Sequence, residues 1–232
     1  MGAAVVTVTT KRREVVLDTS RERRIGFGEA VLAGTKTVEQ LVEVLDQADA
    51  QGMALLLTRL ELDQFNGLPG RLRGRLDYEP GSRTAYFGAG VAFRGSARVA
   101  VVTAGTSDSA VAREAVRTLA FHGLASVEIS DVGVAGLWRL QQRIDEIASL
   151  PVVIAVAGMD AALPTVLGGL VPALIIAVPT SVGYGIAEGG KTALHALLAS
   201  CAPGLVTVNI DNGYGAACAA MRALHVEGSR DA

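Results

Sequence analysis

The sequence predicts an α/β protein with a parallel-sheet, three-layer αβα C-terminal domain and a small α+β N-terminal domain. Half of the 232 residues are apolar but only 4% are aromatic, a composition typical of cores with buried parallel strands. From about residue 97 onward, short apolar runs alternate with helical patterns, whereas the preceding part carries most of the charges. We therefore predict two domains, one at 1–95 with a flexible N-terminal tail and one at 96–226.

The N-terminal domain is predicted from one helix, two strands and a polar segment. In "TVEQLVEVLDQADAQG", the apolar residues Val38, Leu41, Val42 and Leu45 have helical spacing, and Gly52 predicts the end of the helix. The runs "MALLLTRL" and "RTAYFG" predict strands. The segment between them, "RLRGRLDYEPGSR", is polar and rich in turn formers.

The C-terminal domain is predicted as five βα units, whose crossovers should be right-handed. The strands are "RVAVVTAG", "SVEISDVG", "PVVIAVAG", "ALIIAVPT" and "LVTVNIDNG". The first helix should follow Ser107, with the side chain of Ser107 or Asp108 as its cap. The segments "LWRLQQRIDEI", "ALPTVLGGL", "GKTALHALLA" and "GAACAAMRAL" predict four more helices.

Charge and composition exclude several classes of function. The net charge is −2 without a basic run, so nothing indicates binding to a nucleic-acid backbone. Glycines, prolines and charges interrupt every apolar stretch, and no segment resembles a signal peptide, so we expect no membrane span and a cytoplasmic protein. The two cysteines, Cys201 and Cys218, are then expected to be free thiols.

The carboxyl ends of the five predicted strands share one chemistry, which predicts a ligand site. Each end carries glycine together with a hydroxyl or a carboxylate, and ligands of open parallel sheets bind at these ends. A nucleotide-like or phosphate-bearing ligand is expected, although no Walker motif and no G-x-G-x-x-G is present. The predicted substrate-binding residues are Gly105, Thr106, Ser107, Asp108, Asp131, Gly133, Gly158, Met159, Ser181, Gly183, Tyr184, Gly185, Asp211 and Asn212.

Several strings together resemble the phosphoribosylaminoimidazole carboxylase superfamily, and most closely its LarB family. They are "TAGTSD", "DVGVAG", "VVIAVAGMDAALPTVLGGLV", "AVPTSVGYG", "SCAPG" and "VNIDNGYGAA", and the opening "DTSRERRIGFGEAVLAGTKTVEQL" is also similar. The resemblance covers roughly residues 18–224. It implies a carboxylase-like αβα domain of the flavodoxin or Rossmann type.

The resemblance also implies a reaction. Its substrates would be nicotinic acid adenine dinucleotide and CO₂ or bicarbonate. Carboxylation of the pyridinium ring and hydrolysis of the phosphoanhydride would give pyridinium-3,5-biscarboxylate mononucleotide and AMP for nickel-pincer cofactor synthesis. Cys201 matches the family's nucleophilic cysteine, and a thiolate suits the task because it both attacks and leaves readily. Asp160 takes the place of a family glutamate and is a candidate general base, a helix N-cap, or both.

Cys201 poses a geometric difficulty within one chain. It ends a helix that starts at the ligand edge of the sheet, so it should lie at the opposite edge of its own subunit. We therefore expect an obligatory homo-oligomer, an octamer or another even-numbered assembly, with active sites shared between subunits. No organic cofactor is expected. Mg²⁺ is expected for hydrolysis, with Asp108, Asp131 or Asp211 as its possible ligands.

Two other functions remain open at this point. A different ribonucleotide carboxylase or mutase fits the superfamily, but the purine-pathway enzyme has a histidine after its second strand where this chain reads "SDVG". A nucleotide-binding regulatory module without chemistry is the other alternative, because Asp160 replaces the usual glutamate.

Overall fold

The computed structural model describes residues 15–228 and contains two sheets that share no strand among these residues. The part of the predicted flexible tail at residues 1–14 lies outside the described residues. Within the described part of the chain, no helix has the length and apolar character needed to cross a membrane.

The first sheet has four strands in the order β1-β2-β4-β3. Strand β1 pairs in parallel with β2, whereas β4 is antiparallel to both β2 and β3. The side chain of Thr37 accepts from the amide of Gln40 and begins the longest helix of this part, as the helical spacing of its apolar residues predicts. The elements are α1 (Arg21–Ile25), β1 (Ala30–Leu32), α2 (Val38–Ala50), β2 (Leu55–Thr58), α3 (Leu62–Gly67), α4 (Gly70–Arg73), β3 (Leu76–Glu79) and β4 (Thr84–Phe87).

The second sheet confirms the predicted α/β class, because its five strands are all parallel and ordered β6-β5-β7-β8-β9. Apolar clusters cover both faces: α5 and α10 pack on one, and α6, α7, α8 and α9 on the other. The elements are β5 (Val99–Thr103), α5 (Ser109–Phe121), β6 (Ser126–Ile129), α6 (Leu137–Gln141), α7 (Ile144–Ala148), β7 (Val152–Ala157), α8 (Ala162–Gly168), β8 (Leu174–Pro179), α9 (Lys191–Leu198), β9 (Val206–Thr207) and α10 (Gly213–Gly228).

One predicted helix is wrong in its extent. The segment "LWRLQQRIDEI" forms two short helices, α6 and α7, instead of one. The break occurs at Arg143, whose backbone leaves the helical region (φ −114°, ψ 3°). Its side chain forms an ion pair with Glu146, with Nη2 2.6 Å from Oε2. The apolar spacing continues across this break, so periodicity alone does not reveal it.

Arg117 of α5 joins the two sheets. Its guanidinium lies 4.0 Å from the ring centre of Tyr86 and donates to Thr84 Oγ1 at 2.7 Å. In return, the hydroxyl of Tyr86 donates to the carbonyl of Arg117 at 2.6 Å. Desolvation by burial raises the pKa of Tyr86 to about 12, so this hydroxyl keeps its proton and remains a donor at neutral pH.

Candidate functional site

The predicted ligand loops meet at one edge of the second sheet, because the carboxyl ends of parallel strands lie together. We call this edge, formed by loops 104–108, 130–136, 158–161, 180–190 and 208–212, the carboxyl edge. It brings together all fourteen predicted substrate-binding residues, together with Asp160. Hydrogen bonds between adjacent loops hold the edge together.

Asp108 is the buried centre of the carboxyl edge. It is only 4% exposed, and its Oδ1 accepts from Thr180 Oγ1 at 2.7 Å while its Oδ2 accepts from the amide of Gly105 at 3.0 Å. Burial raises the pKa of Asp108, and these hydrogen bonds partly offset that rise. Asp108 thus ties the β5 loop to the β8 loop from beneath, while Thr106 and Ser107 stay exposed above it.

The predicted cap of α5 is wrong. Asp108 has a helical backbone (φ −84°, ψ −6°), and its side chain turns back to Gly105 instead of accepting from the amides of α5. Thr106–Asp108 form a 3₁₀ turn that continues into the helix, so Ser107 lies in that turn and does not cap α5. The other contacts of Asp108 explain the difference, because its Oδ1 accepts from Thr180 and its Oδ2 accepts from Gly105.

The β7 loop approaches the β8 loop so closely that only glycine fits at position 158. A Cβ at Gly158 would lie 2.2 Å from the carbonyl oxygen of Val182 and 2.6 Å from Thr180 Oγ1. The amide of Met159 donates to that same carbonyl at 3.0 Å. Met159 itself is non-glycine with φ +54°, a conformation that is tolerated where the surroundings fix it.

Asp160 is exposed at the tip of the β7 loop. Its predicted role as a helix N-cap is wrong, because Ala161, with φ +48°, holds the position before α8. The amide of Ala161 donates to the carbonyl of Gly158 at 2.8 Å, which closes a tight turn and leaves Asp160 outside the helix. Asp160 is therefore exposed at the carboxyl edge and lies outside α8.

The β8 and β9 loops are joined through Asp211. Its Oδ1 accepts from the amide of Ser181 at 2.8 Å, and its own backbone has φ +54°. Asn212 begins α10, because its Oδ1 accepts from the amide of Gly215 at 2.8 Å. Tyr184 extends outward from the β8 loop with 78% of its surface exposed.

The β6 loop is fixed to the β5 loop by its backbone. The amide of Gly133 donates to the carbonyl of Ala104 at 2.8 Å, and the amide of Asp131 donates to Thr103 Oγ1 at 3.1 Å. The carboxylate of Asp131 forms an ion pair with Arg139 of α6. Asp131 therefore reaches the carboxyl edge already engaged in an ion pair.

Comparison with known proteins identifies the family. Residues 98–230, more than half of the chain, match the sequence model of AIR carboxylase. The chain belongs to the AIR carboxylase family. Residues 10–89 match the LarB/PurE-like N-terminal domain, so the protein is a LarB-like member of this family.

One relative that is similar in sequence to this chain is itself uncharacterised. An uncharacterised protein of Methanocaldococcus jannaschii is 46% identical over 121 residues, which are 51% of this chain and 46% of the relative. The match thus spans about half the length of that relative. The two domain matches support a carboxylase-type function for this AIR carboxylase family member.

Cys201 lies away from the carboxyl edge in this AIR carboxylase family member, as predicted. Helix α9 begins after the β8 loop and runs back along the sheet, and Cys201 follows its end and precedes β9. The neighbouring Ser200 Oγ is 2.7 Å from Thr165 Oγ1 of α8, which fixes the turn. Cys201 itself is an exposed free cysteine.

The donor set does not fit a magnesium site made by this chain alone. Within residues 15–228, no group of three or more His, Cys, Asp or Glu side chains could hold a metal ion. Of the three possible ligands, Asp108 is buried against Thr180, Asp131 is paired with Arg139, and Asp211 holds the amide of Ser181. The described residues of one chain therefore do not form a Mg²⁺ site.

The sequence prediction missed a second set of polar residues, beside the carboxyl edge. Arg59, at the end of β2, donates through Nη2 to the carbonyl of Asp211 at 2.9 Å. Glu114 of α5 is only 5% exposed, burial raises its pKa, and its Oε2 accepts from the amide of Tyr214 at 3.2 Å. Arg59 and Asp211 are 152 residues apart in the chain, so no local pattern could have joined them.

Proposed function

We propose that the protein carboxylates the pyridinium ring of nicotinic acid adenine dinucleotide and hydrolyses its phosphoanhydride. The products are pyridinium-3,5-biscarboxylate mononucleotide and AMP, and the place of the reaction is nickel-pincer cofactor synthesis. The observation that carries this proposal is the LarB/PurE-like N-terminal domain joined to an AIR carboxylase domain that has no histidine at its carboxyl edge. The three histidines, His122, His195 and His225, lie at the end of α5, in α9 and in α10.

The chemistry begins with a nucleophile because a pyridinium cation cannot itself attack CO₂. The Cys201 thiolate forms a C–S bond beside the ring nitrogen, and the ring electrons move onto that nitrogen. The resulting enamine forms a C–C bond to CO₂. A base then removes the proton from the carboxylated carbon, the C–S bond breaks, and the pyridinium ring is restored with the thiolate released. Separately, water attacks the phosphoanhydride and AMP departs.

Asp160 is the base in this proposal. Its carboxylate is exposed at the carboxyl edge and lies outside α8, so no helix amide competes for it. Aspartate is shorter than the family glutamate, and its neighbours Met159 and Ala161 both have left-handed backbones. Proton transfer by a positioned carboxylate fits this placement.

The site needs two subunits, because Cys201 and Asp160 lie at opposite edges of one chain. Exposed apolar side chains lie both beside the carboxyl edge and near Cys201 in the chain. Tyr184 is 78% and Ile186 is 93% exposed beside the carboxyl edge, while Leu198 is 69% exposed three residues before Cys201. Such surfaces are typical of protein contacts. In the proposed oligomer, a neighbouring copy brings its Cys201 to the carboxyl edge.

The test is a product assay with the full-length protein. It is incubated with nicotinic acid adenine dinucleotide and bicarbonate, with Mg²⁺ or with a chelator, and mass spectrometry detects AMP and a mononucleotide that has gained one carboxyl. Cys201→Ser should abolish carboxylation, whereas Cys218→Ser, in the half-buried face of α10, should preserve it. Carboxylation of aminoimidazole ribonucleotide instead would favour the mutase, and thermal stabilisation by the dinucleotide without turnover would favour the regulatory module.

A further inference from the structure

A cavity of about 340 Å³ lies between the two sheets, next to the carboxyl edge. Its volume falls in the range of roughly 300–1,000 Å³ that is typical of small-molecule pockets. The first sheet contributes Leu32 and Thr58, and the second part of the chain contributes Glu114, Asn209 and Tyr214. The cavity therefore exists only because the N-terminal part of the chain packs against the αβα domain.

The lining has the mixed character that a nucleoside needs. Leu32 and the ring of Tyr214 offer apolar surface for a flat base. Thr58 and Glu114 are buried polar residues, and Asn209 is exposed at the opening. These hydroxyl, carboxylate and amide groups can bind the edges of a base and the hydroxyls of a ribose.

Arg59 connects this cavity to the carboxyl edge. It lines the cavity and donates to the carbonyl of Asp211, whose side chain in turn holds the amide of Ser181. Arg59 also has φ +54°, as does Asp211, so both backbones are held in a conformation that is uncommon outside glycine. A ligand that extended from the cavity to the carboxyl edge would pass the guanidinium, which suits a phosphate.

We propose that this cavity binds the adenosine 5′-phosphate half of the dinucleotide, with adenine and ribose inside it and Arg59 beside the phosphate. The inference rests on the proposed function, because it locates the second half of that substrate while the pyridinium half lies at the carboxyl edge. It also gives the N-terminal part of the chain a role, namely one wall and one cation of the substrate site.

The test measures the binding of three probes to the full-length protein by calorimetry: adenosine, AMP and nicotinic acid mononucleotide. Leu32→Trp fills the opening of the cavity and should raise the Kd of adenosine and AMP by about tenfold or more. Arg59→Gln should weaken AMP by about tenfold while leaving adenosine within about twofold, because adenosine has no phosphate for the guanidinium to bind. Leu32→Trp should leave the Kd of nicotinic acid mononucleotide unchanged, because Leu32 lies in β1, outside the loops of the carboxyl edge.

Leu62→Trp is the matched control, because Leu62 is similarly exposed (54%, against 49% for Leu32) but does not line the cavity. Unaltered thermal unfolding and oligomer size establish that each variant is folded. If wild-type protein does not bind AMP, or if both cavity variants bind AMP as wild type does, the inference is overturned. Turnover of the dinucleotide by wild type is scored separately, so the cavity can fail while the proposed function holds, and the reverse.

Discussion

Replacing Gly158 by alanine should destabilise the protein through a single added methyl group. That Cβ would lie 2.2 Å from the backbone oxygen of Val182 and 2.6 Å from Thr180 Oγ1, so the β7 and β8 loops must separate. Overpacking of this kind costs about 2 kcal/mol. Separation would also break the hydrogen bond from the Met159 amide to Val182, which contributes about 1 kcal/mol.

The expected loss of about 3 kcal/mol corresponds to a decrease in Tm of roughly 6–12 °C for a chain of this size. Urea unfolding followed by circular dichroism measures the free energy directly, and a thermal scan measures Tm. The matched control is Gly105→Ala, in the β5 loop. Its Cβ would meet nothing closer than Asp108 Oδ2 at 3.7 Å, and its φ of −134° suits alanine. Equal stability of the two variants would refute the close approach of the β7 and β8 loops.

Two further predictions concern the junction of the sheets. Burial raises the pKa of Glu114 above its ordinary 4.5, so the folded state binds this proton more tightly and loses stability as pH rises through and above that value. Glu114→Gln removes this loss, so urea unfolding should show its stability relative to wild type rising from about pH 4 to pH 7; a constant difference would contradict the assignment. Arg117→Lys loses the planar contact with Tyr86 and the hydrogen bond from Nε to Thr84 Oγ1, and urea unfolding should show a cost of about 2 kcal/mol. A cost near zero would show that this arginine does not couple the sheets.

The fold was largely predictable because each strand of the second sheet is a short apolar run that ends in a glycine-containing loop. The break between α6 and α7 was not predictable, because the apolar spacing continues through Arg143 although its backbone leaves the helical region. The members of the carboxyl edge were also predictable, because a parallel sheet brings strand ends together whatever the details of packing.

The roles within that edge depend on partners distant in sequence. The sequence predicts Asp108 as a substrate-binding residue and as a possible cap of α5. Its hydrogen bond with Thr180, 72 residues away, accounts for its burial and for the absence of that cap. The cavity escaped prediction for the same reason, since its walls come from β1, β2, α5 and the start of α10. Local sequence patterns predict the helices, the strands and the carboxyl edge, whereas the pairing of polar side chains from different elements is seen only in the structure.

The most direct test of the central claim mixes two inactive variants, Cys201→Ala and Asp160→Asn. Cys201 and Asp160 are both exposed, so neither substitution should disturb the fold. If the thiolate of one subunit serves the carboxyl edge of another, random mixing should restore carboxylation at about a quarter of the sites. With subunit exchange confirmed by mass spectrometry, a mixture that remains as inactive as its components would contradict the shared site.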